Sequence, residues 1–453
     1  MTKKRIILFG ILFIAVEIIV GLVIILADQG AFTKKEENTH LSYVGLWEPA
    51  IINPLIEEYQ RDNPKVSIEY EEKDPKRYFE TLRNSLASDA PPDIFWWHSG
   101  WGPMLKNDLA LLTESVLAAF DFEKTYYPVT KLDAKIGGGY RGIPLEFDGL
   151  ALIYNKDLLK AKKLSNPPKT WTDLQRTYVP ALSRVDENKT IISSAIALGT
   201  ANNIANFSEI MGLLFLQNGV IFAKDGKINI DKSLALNGDN LGDKAAEFYI
   251  AFTKNPKVWD TAQPDSIRAF ARGKVAMIFL PVHKLPTLQS QIKAAGGKVK
   301  FGVARVPQPP NVVPISWASY WLSGVSAKSK NQLEAWKFIK FLGERENLKK
   351  IFQEEAKIRK IGRPYPRIDM ARELRSDPLL GAYVSDAPFA KSWYLHPDTF
   401  DGALNDKIVE KLKELVDTML RGSGSTPSSL KKFSDAAVSI IAQYGGLGGI
   451  TER

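Results

Sequence analysis

The sequence has no cysteine and only four histidines, His40, His98, His283 and His396, spread over 453 residues. Without cysteine, a disulfide framework, a thiolate metal site, CxxC redox chemistry, a cysteine nucleophile and a lipid-modified N-terminal cysteine are all excluded. The histidines show no zinc-ligand spacing. We therefore predict no metal site and no cofactor.

The excess of positive over negative charge is also small. Lys and Arg total 60 against 51 Asp and Glu, a formal net charge of +9, and the two signs interleave along most of the chain. No basic stripe typical of a nucleic-acid interface stands out, so we predict no nucleic-acid partner. The charge by itself supports at most a weak attraction to anionic polymers.

The N-terminus carries a single long hydrophobic run. Three basic residues, Lys3 to Arg5, precede an apolar segment over residues 6–27 that contains one acid, Glu17. This run is long enough to cross a bilayer and lacks a small-residue cleavage site, which favours an uncleaved transmembrane anchor over a cleaved signal. The basic cluster predicts that the soluble part lies outside the cytoplasmic membrane, joined by a linker over residues 28–40.

The remaining chain alternates short strands with helices. A strand over 42–47 precedes apolar residues at helical spacing over 51–59, and the same order repeats over 66–70, 78–86 and 93–97. Further strands are predicted at 191–198, 274–280 and 300–304, with helices between and after them. This alternation predicts an α/β fold whose sheets are covered by helices on both faces.

Five sequence blocks, taken in order, resemble a known family. They are Pro92–His98, Ile143–Asp148, Ile153–Leu159, Pro167–Trp171 and Ala269–Met277. Together they resemble the bacterial extracellular solute-binding proteins of ABC importers, the group that includes maltodextrin-binding protein. The resemblance implies a type II periplasmic-binding-protein-like fold, with two lobes that close on a ligand about a hinge. It also implies a membrane permease as partner and a monomeric receptor.

From this resemblance we assign lobe I to residues 41–147 plus 283–345 and lobe II to 148–282 plus 346–453. The chain would cross between the lobes near Gly149 and again near His283. Hinge crossings absorb the closing rotation, so a glycine is reasonable at the first of them.

Carbohydrate ligands need aromatic rings for their C–H faces and planar polar groups for their hydroxyls. Loop positions that combine the two predict the binding residues, and the resemblance places Trp96, Ser99 and Asp148 at sugar-contacting positions. The full set is Trp47, Glu48, Trp96, Trp97, Ser99, Asp148, Asn202, Asn203, Trp317, Tyr320, Trp321, Arg363 and Trp393. Core packing for the tryptophans, a turn for Asn202 and Asn203 and a hinge role for Asp148 are the alternatives.

The predicted function is a carbohydrate receptor that does not alter its ligand. One alternative is a membrane-tethered glycoside hydrolase that uses Glu146 and Asp148, which lie two residues apart on a predicted strand. Another is a sensor of the same fold for a peptide or a polyamine. Paired aromatic and polar residues favour the sugar.

Overall fold

The computed structural model describes residues 15–20, 38–116, 121–254 and 256–446. Its strands form two five-stranded sheets and three two-stranded ones. The strands are β1 Thr39–Gly45, β2 Val66–Glu72, β3 Ile94–His98, β4 Lys135–Ile136, β5 Gly139–Tyr140, β6 Ile143–Pro144, β7 Leu150–Asn155, β8 Arg184–Val185, β9 Ile191–Ile196, β10 Ala223–Lys224, β11 Lys227–Ile228, β12 Val275–Pro281, β13 Phe301–Ala304, β14 Ser316–Trp317, β15 Trp321–Val325 and β16 Ala390–Lys391.

The first large sheet has the order β2-β1-β3-β15-β6 and forms the centre of the first lobe. Strands β1, β2 and β3 are parallel, and β15 joins β3 in the antiparallel sense with Trp321 opposite His98. Every residue of β3 is buried, because this strand has neighbours on both sides and helices on both faces. The block Pro92–His98 therefore lies at the core of the first lobe.

The second large sheet has the order β13-β7-β12-β9-β8 and forms the centre of the second lobe. Strand β12 is fully buried and pairs antiparallel with β7 and parallel with β9. Strand β13 pairs antiparallel with the other edge of β7. Both large sheets are therefore mixed, with a buried central strand.

Helices cover both large sheets, and the two predicted over 51–59 and 78–86 are confirmed with bounds that differ by up to three residues. The longer ones are Pro49–Asp62, Tyr78–Ala87, Phe207–Gln217, Leu241–Ala251, Leu285–Ala294, Gln332–Leu342, Arg345–Arg359, Leu404–Arg421 and Thr426–Ala442. The shorter ones are Gly102–Leu105, Phe122–Thr125, Pro128–Ala134, Lys156–Ala161, Trp171–Asp173, Val179–Leu182, Ser266–Ala271, Ala371–Leu374 and Gly381–Asp386. The Thr170 hydroxyl caps the helix that begins at Trp171, because it accepts a hydrogen bond from the Asp173 N–H at 3.0 Å.

Two segments lie in the other lobe from the one assigned to them. Residues 283–304 were placed in lobe I, but the helix Leu285–Ala294 packs on the helix Ser266–Ala271 of the second lobe, and residues 301–304 form β13 of the second sheet. Residues 346–359 were placed in lobe II, but the helix Arg345–Arg359 packs on the helix Pro49–Asp62 of the first lobe. In both cases strand pairing or helix packing decided the lobe, and neither leaves a signal in the local sequence.

The predicted membrane anchor lies mostly outside the described residues. Residues 15–20, in the middle of the apolar run, are helical. Among the residues that the structure describes, no helix reaches the length and hydrophobicity needed to cross a membrane.

Candidate functional site

Three segments connect the two lobes and run side by side. The first spans 145–149 between β6 and β7, the second 305–320 between β13 and β15, and the third follows the helix Arg345–Arg359. The Phe147 N–H donates to the Pro364 carbonyl at 2.8 Å, and the Ser319 N–H donates to the Asp148 carbonyl at 3.0 Å. Gly149 is required here by close approach, because a Cβ at this position would lie 2.3 Å from the Trp317 carbonyl oxygen.

Asp148 fastens the first of these segments to the second lobe. Its carboxylate accepts hydrogen bonds from the backbone N–H groups of Val282 and His283 at 2.7 and 3.0 Å, and from its own neighbour Gly149 at 2.7 Å. The His283 Nδ1 lies 2.9 Å from the same carboxylate. Asp148 is buried, and both of its carboxylate oxygens are hydrogen-bonded within the protein. These contacts agree with the hinge role, and they leave no exposed carboxylate oxygen for a ligand. The second crossing predicted near His283 is not found there, because residues 281–283 contact the first crossing through Asp148 but stay in the second lobe.

An ion-pair cluster occupies the first-lobe side of the crossings. Arg359 contacts Glu48 at 2.6 Å and Glu355 at 3.0 Å, and the Arg363 guanidinium hydrogen-bonds Glu146. Burial disfavours the charge on Glu48, but the hydrogen bonds and charge of Arg359 outweigh it and hold the pKa of Glu48 below its usual range. Burial raises the pKa of Glu146 to about 7, against the opposing effect of Arg363.

The predicted aromatic platforms of the first lobe are core residues in this conformation. The Trp47 indole N–H donates to Glu355 at 3.2 Å, and the Trp96 indole N–H donates to the Tyr43 hydroxyl at 2.6 Å. The Trp47 and Trp96 rings meet edge to face with centroids 4.5 Å apart. With about 1% or less of either side chain exposed, both rings are covered by protein. Trp97 is also fully buried, on the opposite face of β3.

Strand β3 ends at His98, and a 3₁₀ turn over Ser99–Trp101 brings polar groups to the face between the lobes. The Gly100 N–H donates to His98 Nδ1 at 3.1 Å, so the other nitrogen, Nε2, carries the proton and donates to the Ser319 hydroxyl at 3.2 Å. Burial lowers the pKa of His98 well below its usual value, and the nearby His396 and His283 add to the effect. His98 is therefore neutral at physiological pH.

The second lobe presents a hydrogen-bonded chain that the sequence analysis missed. The Asn206 amide donates to Glu209 at 2.8 Å, and the other oxygen of Glu209 lies 3.3 Å from His396 Nδ1. Asn405 is held by Asp401, which accepts from its side-chain amide at 3.0 Å. These residues come from the helix Phe207–Gln217, the loop after β16 and the start of the helix Leu404–Arg421. They are separated by nearly two hundred residues, so no local motif identifies them.

The two lobes meet at these groups. The Asn405 amide donates to the Gly100 carbonyl at 3.1 Å, and the His98 and His396 rings lie 4.7 Å apart. The Trp317 ring lies 5.6 Å from that of His396. We call Ser99, Gly100, Trp317, His396 and Asn405 the interlobe site.

Several buried polar atoms of the interlobe site lack a hydrogen-bond partner. They are the Ser99 hydroxyl, the Trp317 indole nitrogen, His396 Nε2 and the Asn405 side-chain oxygen. Buried polar groups are nearly always satisfied in folded proteins, and leaving one unpaired costs about 1–3 kcal/mol. These four atoms lie at a single contact between the lobes.

The structure brings only part of the predicted set to this site. Ser99 and Trp317 belong to it. Trp321 lies next to it, with its ring 5.1 Å from that of His98. Tyr320 donates to Asp133 at 2.7 Å, and Trp393 stacks on Phe222 inside the second lobe with centroids 4.4 Å apart.

The remaining predicted residues are elsewhere. Asn202 is exposed, whereas the Asn203 amide donates to the carbonyls of Asp260 and Gln263 at 2.9 and 2.8 Å and so holds a loop together. Glu48 and Arg363 belong to the ion-pair cluster at the crossings. Among the residues that the structure describes, no group of three or more acidic or histidine side chains has metal-binding geometry.

The profile of the family described as bacterial extracellular solute-binding protein matches residues 54–358. The chain belongs to this family. The resemblance drawn from the five sequence blocks is thereby confirmed, as is the extracytoplasmic character of the soluble part.

Individual relatives agree with this assignment. A putative binding protein of Brucella abortus (strain 2308) is 26% identical over 239 residues, which are 52% of this chain and 53% of the relative. The maltodextrin-binding protein of Bacillus subtilis (strain 168) is 28% identical over 207 residues, 44% of this chain and 46% of that protein. The chain spans about half the length of the curated relatives it matches.

Solved structures match nearly the whole fold. The sugar-binding protein MalE of Xanthomonas citri has a TM-score of 0.71 at 20% identity, covering 89% of this chain and 98% of that one. A cyclo/maltodextrin-binding protein complexed with maltotetraose has the same TM-score at 18% identity, covering 90% and 99%. These likenesses confirm the two-lobed α/β architecture.

Proposed function

We propose that this protein is an extracytoplasmic receptor that binds a carbohydrate, most naturally an oligosaccharide, between its lobes and delivers it to an ABC importer. The observation that carries the proposal is the interlobe site, where polar atoms from both lobes are buried without partners. The printed names of the relatives, which include maltodextrin-binding and sugar-binding proteins, support the same ligand class.

The chemistry of the interlobe site suits a neutral, hydroxyl-rich ligand. A sugar hydroxyl both donates and accepts, and the site offers an indole donor on Trp317, acceptors on His396 and Asn405, and a hydroxyl on Ser99. His98 is neutral, and Glu209 is engaged by Asn206 and His396. A polyamine would need several free carboxylates, which the described part of the interlobe site does not offer.

The carboxylates suggested for hydrolysis have other roles in this structure. Glu146 contacts Arg363, and Asp148 accepts hydrogen bonds from the segment 282–283. Residues 145–149 do not form a continuous strand, since β6 ends at Pro144 and β7 begins at Leu150. These observations favour binding without catalysis.

The lobes already touch in this structure, so binding requires them to separate and then close on the ligand. Contacts made to both lobes stabilise the closed form, and the ligand shifts the population toward it by its difference in affinity for the two states. The closed form is then the species that a permease recognises. Small-angle scattering should show a smaller radius of gyration with ligand than without it.

Two asparagines allow a matched test of the binding site. Asn405→Ala removes an interlobe group, whereas Asn202→Ala changes an exposed residue of the originally predicted set. Losing one or two ligand hydrogen bonds costs about 1–3 kcal/mol, so Asn405→Ala should weaken saccharide binding roughly 10- to 100-fold in calorimetry. Asn202→Ala should bind like the wild type, and equal affinities for both variants would contradict the site.

A panel of mono- and oligosaccharides, including maltodextrins, screened by thermal shift would identify the ligand. Reducing-end assays on the same panel test the hydrolase alternative, because a receptor releases no new reducing ends. Turnover that Asp148→Asn abolishes would overturn the receptor proposal.

We also propose that residues 6–27 anchor the receptor as a single-pass segment. The support is the length of the apolar run, the basic residues 3–5 before it and the absence of a cysteine for lipid modification. Membrane fractionation with a carbonate wash tests this, since an anchored chain stays with the membrane whereas a cleaved one is released.

A further inference from the structure

The charge of this chain is distributed very unevenly. No aspartate or glutamate occurs between Asp265 and Glu334, although 51 acidic residues in 453 would place several in a stretch of that length. A second acid-free stretch runs from Leu158 to Thr172. Both stretches contain several lysines and arginines, but within either stretch alone these residues do not form a continuous basic segment.

The fold brings these two stretches to one end of the second sheet. The Lys156 N–H donates to the Lys300 carbonyl at 2.9 Å, and β13 pairs with β7 with Phe301 opposite Asn155. On the other side of β7, β12 begins directly after Lys274. Lys300, Lys156 and Lys274 therefore lie at the same end of three adjacent strands, which are about 4.8 Å apart.

Further basic residues surround these three. Lys160 is one helical turn from Lys156, and Lys298 and Arg272 flank the strand ends. The two sides meet directly, because a Cβ on Gly273 would lie 4.0 Å from the Val299 side chain. We call this group the basic surface; it consists of Lys156, Lys160, Arg272, Lys274, Lys298 and Lys300.

The basic surface lacks compensating charge. All six of its residues are exposed, and among the described residues none has a carboxylate within 4 Å. Asp157 is the one acid inside the segments that form it. Lysines elsewhere on the molecule are commonly paired, as in Lys349–Glu346 and Lys431–Asp435. Such a concentration of one sign creates a local potential that attracts anions.

The basic surface is separate from the interlobe site. Strand β7 begins at the crossing with Leu150 and ends at Asn155, and β12 runs back from Val275 to Pro281. The surface therefore lies at the end of the second lobe away from the crossings. An anion bound there would neither block the lobe contact nor touch the ligand.

We propose that the basic surface binds an extended extracytoplasmic polyanion with repeating phosphate groups. The lysines are spread over three strand ends and a helix and line no pocket, which suits a polymer better than a single phosphate. None of the exposed large hydrophobic side chains of the described residues lies within 156–164, 272–274 or 293–300, so the surface has no apolar anchor for a lipid bilayer. Polymer binding would retain the receptor in the cell envelope without occupying its ligand site.

Long-chain inorganic polyphosphate tests the proposal, with affinity measured at several salt concentrations. In a plot of log affinity against log salt concentration, each neutralised phosphate contributes a slope of about −0.7. Six neutralised phosphates therefore predict roughly a 300-fold loss of affinity between 50 and 200 mM salt. The variant Lys156→Gln/Lys298→Gln/Lys300→Gln retains three, which predicts roughly a 20-fold loss over the same range and weaker binding throughout. Orthophosphate at equal phosphate concentration should not compete.

The control Lys349→Gln/Lys357→Gln/Lys431→Gln removes the same number of charges from lysines paired with Glu346, Glu354 and Asp435. It should keep the wild-type salt dependence. Equal behaviour of the two triple variants would overturn the proposal, because binding would then follow net charge. Lysine-dependent binding to phosphatidylglycerol vesicles above a phosphatidylcholine baseline, without polyphosphate binding, would also overturn it. Unchanged melting temperatures show that both variants fold.

Discussion

Asp148 provides a direct test of how the first crossing is held. Replacing it by alanine removes the acceptor for the backbone N–H groups of Val282 and His283 and for the His283 ring. Val282 is fully buried, so its N–H would lose its partner without gaining water. The same change made on the surface, Asp62→Ala, should have little effect because Asp62 is exposed.

The expected cost follows from these contacts. Hydrogen bonds to a charged acceptor contribute about 1.5–3 kcal/mol each, and removing one partner of a buried charged network costs about 3–5 kcal/mol in total. We therefore expect Asp148→Ala to lower the free energy of unfolding by about 3–5 kcal/mol in urea titrations followed by tryptophan fluorescence. Asp62→Ala should stay within about 0.5 kcal/mol of the wild type.

The comparison of the two variants can refute this reasoning. A loss below about 1 kcal/mol for Asp148→Ala would mean that water or a shifted backbone satisfies the segment 282–283. The hinge role assigned to Asp148 would then be wrong. A similar loss in both variants would point to an effect of net charge and not of the buried contacts.

Three further perturbations address the crossings and the lobe contact. Because burial raises the pKa of Glu146 from 4.5 to about 7, the folded state binds more protons than the unfolded state. The stability contributed by protonated Glu146 is therefore complete below pH 4.5 and should be lost as the pH rises to 7. Glu146→Gln should remove this dependence of the free energy of unfolding on pH, as measured by urea titrations at each pH. Gly100→Ala places a Cβ 2.8 Å from the Asn405 side-chain oxygen, so the lobes should not close fully, and the decrease in the radius of gyration on saccharide binding should be smaller than in the wild type. An equal decrease in both proteins would contradict the lobe contact. Trp393→Ala removes a ring stacked on Phe222 and should cost about 3–5 kcal/mol of stability, measured by denaturation, with saccharide affinity in the surviving folded protein close to wild type.

The order of the elements was predictable because each depends on neighbours in sequence. The helix Tyr78–Ala87 and the strand Val66–Glu72 are indicated by their apolar periodicity, and their predicted bounds, 78–86 and 66–70, differ by only one or two residues. The strand predicted to carry Glu146 and Asp148 is not continuous. It is interrupted between Pro144 and Leu150, where the chain crosses between lobes and hydrogen-bonds other crossings instead of a strand.

The site was harder to predict than the fold. A tryptophan beside a polar residue has the same local sequence whether it faces a ligand or the core. Trp47 and Trp96 are core residues here because Glu355 and Tyr43, distant in sequence, receive their indole N–H groups. His396 and Asn405 escaped notice because the partners that position them, Glu209 and Gly100, lie far away along the chain.

The sequence by itself determined the family, the alternation of strands and helices, the absence of sulfur chemistry and the apolar N-terminal run, since all of these depend on composition or on short-range patterns. Only the tertiary structure decided which lobe holds residues 283–304 and 346–359, which polar groups meet between the lobes, and that scattered lysines form one surface. Those features arise from strand pairing and helix packing between segments far apart in the chain, and such pairing is settled by the free energy of the whole fold.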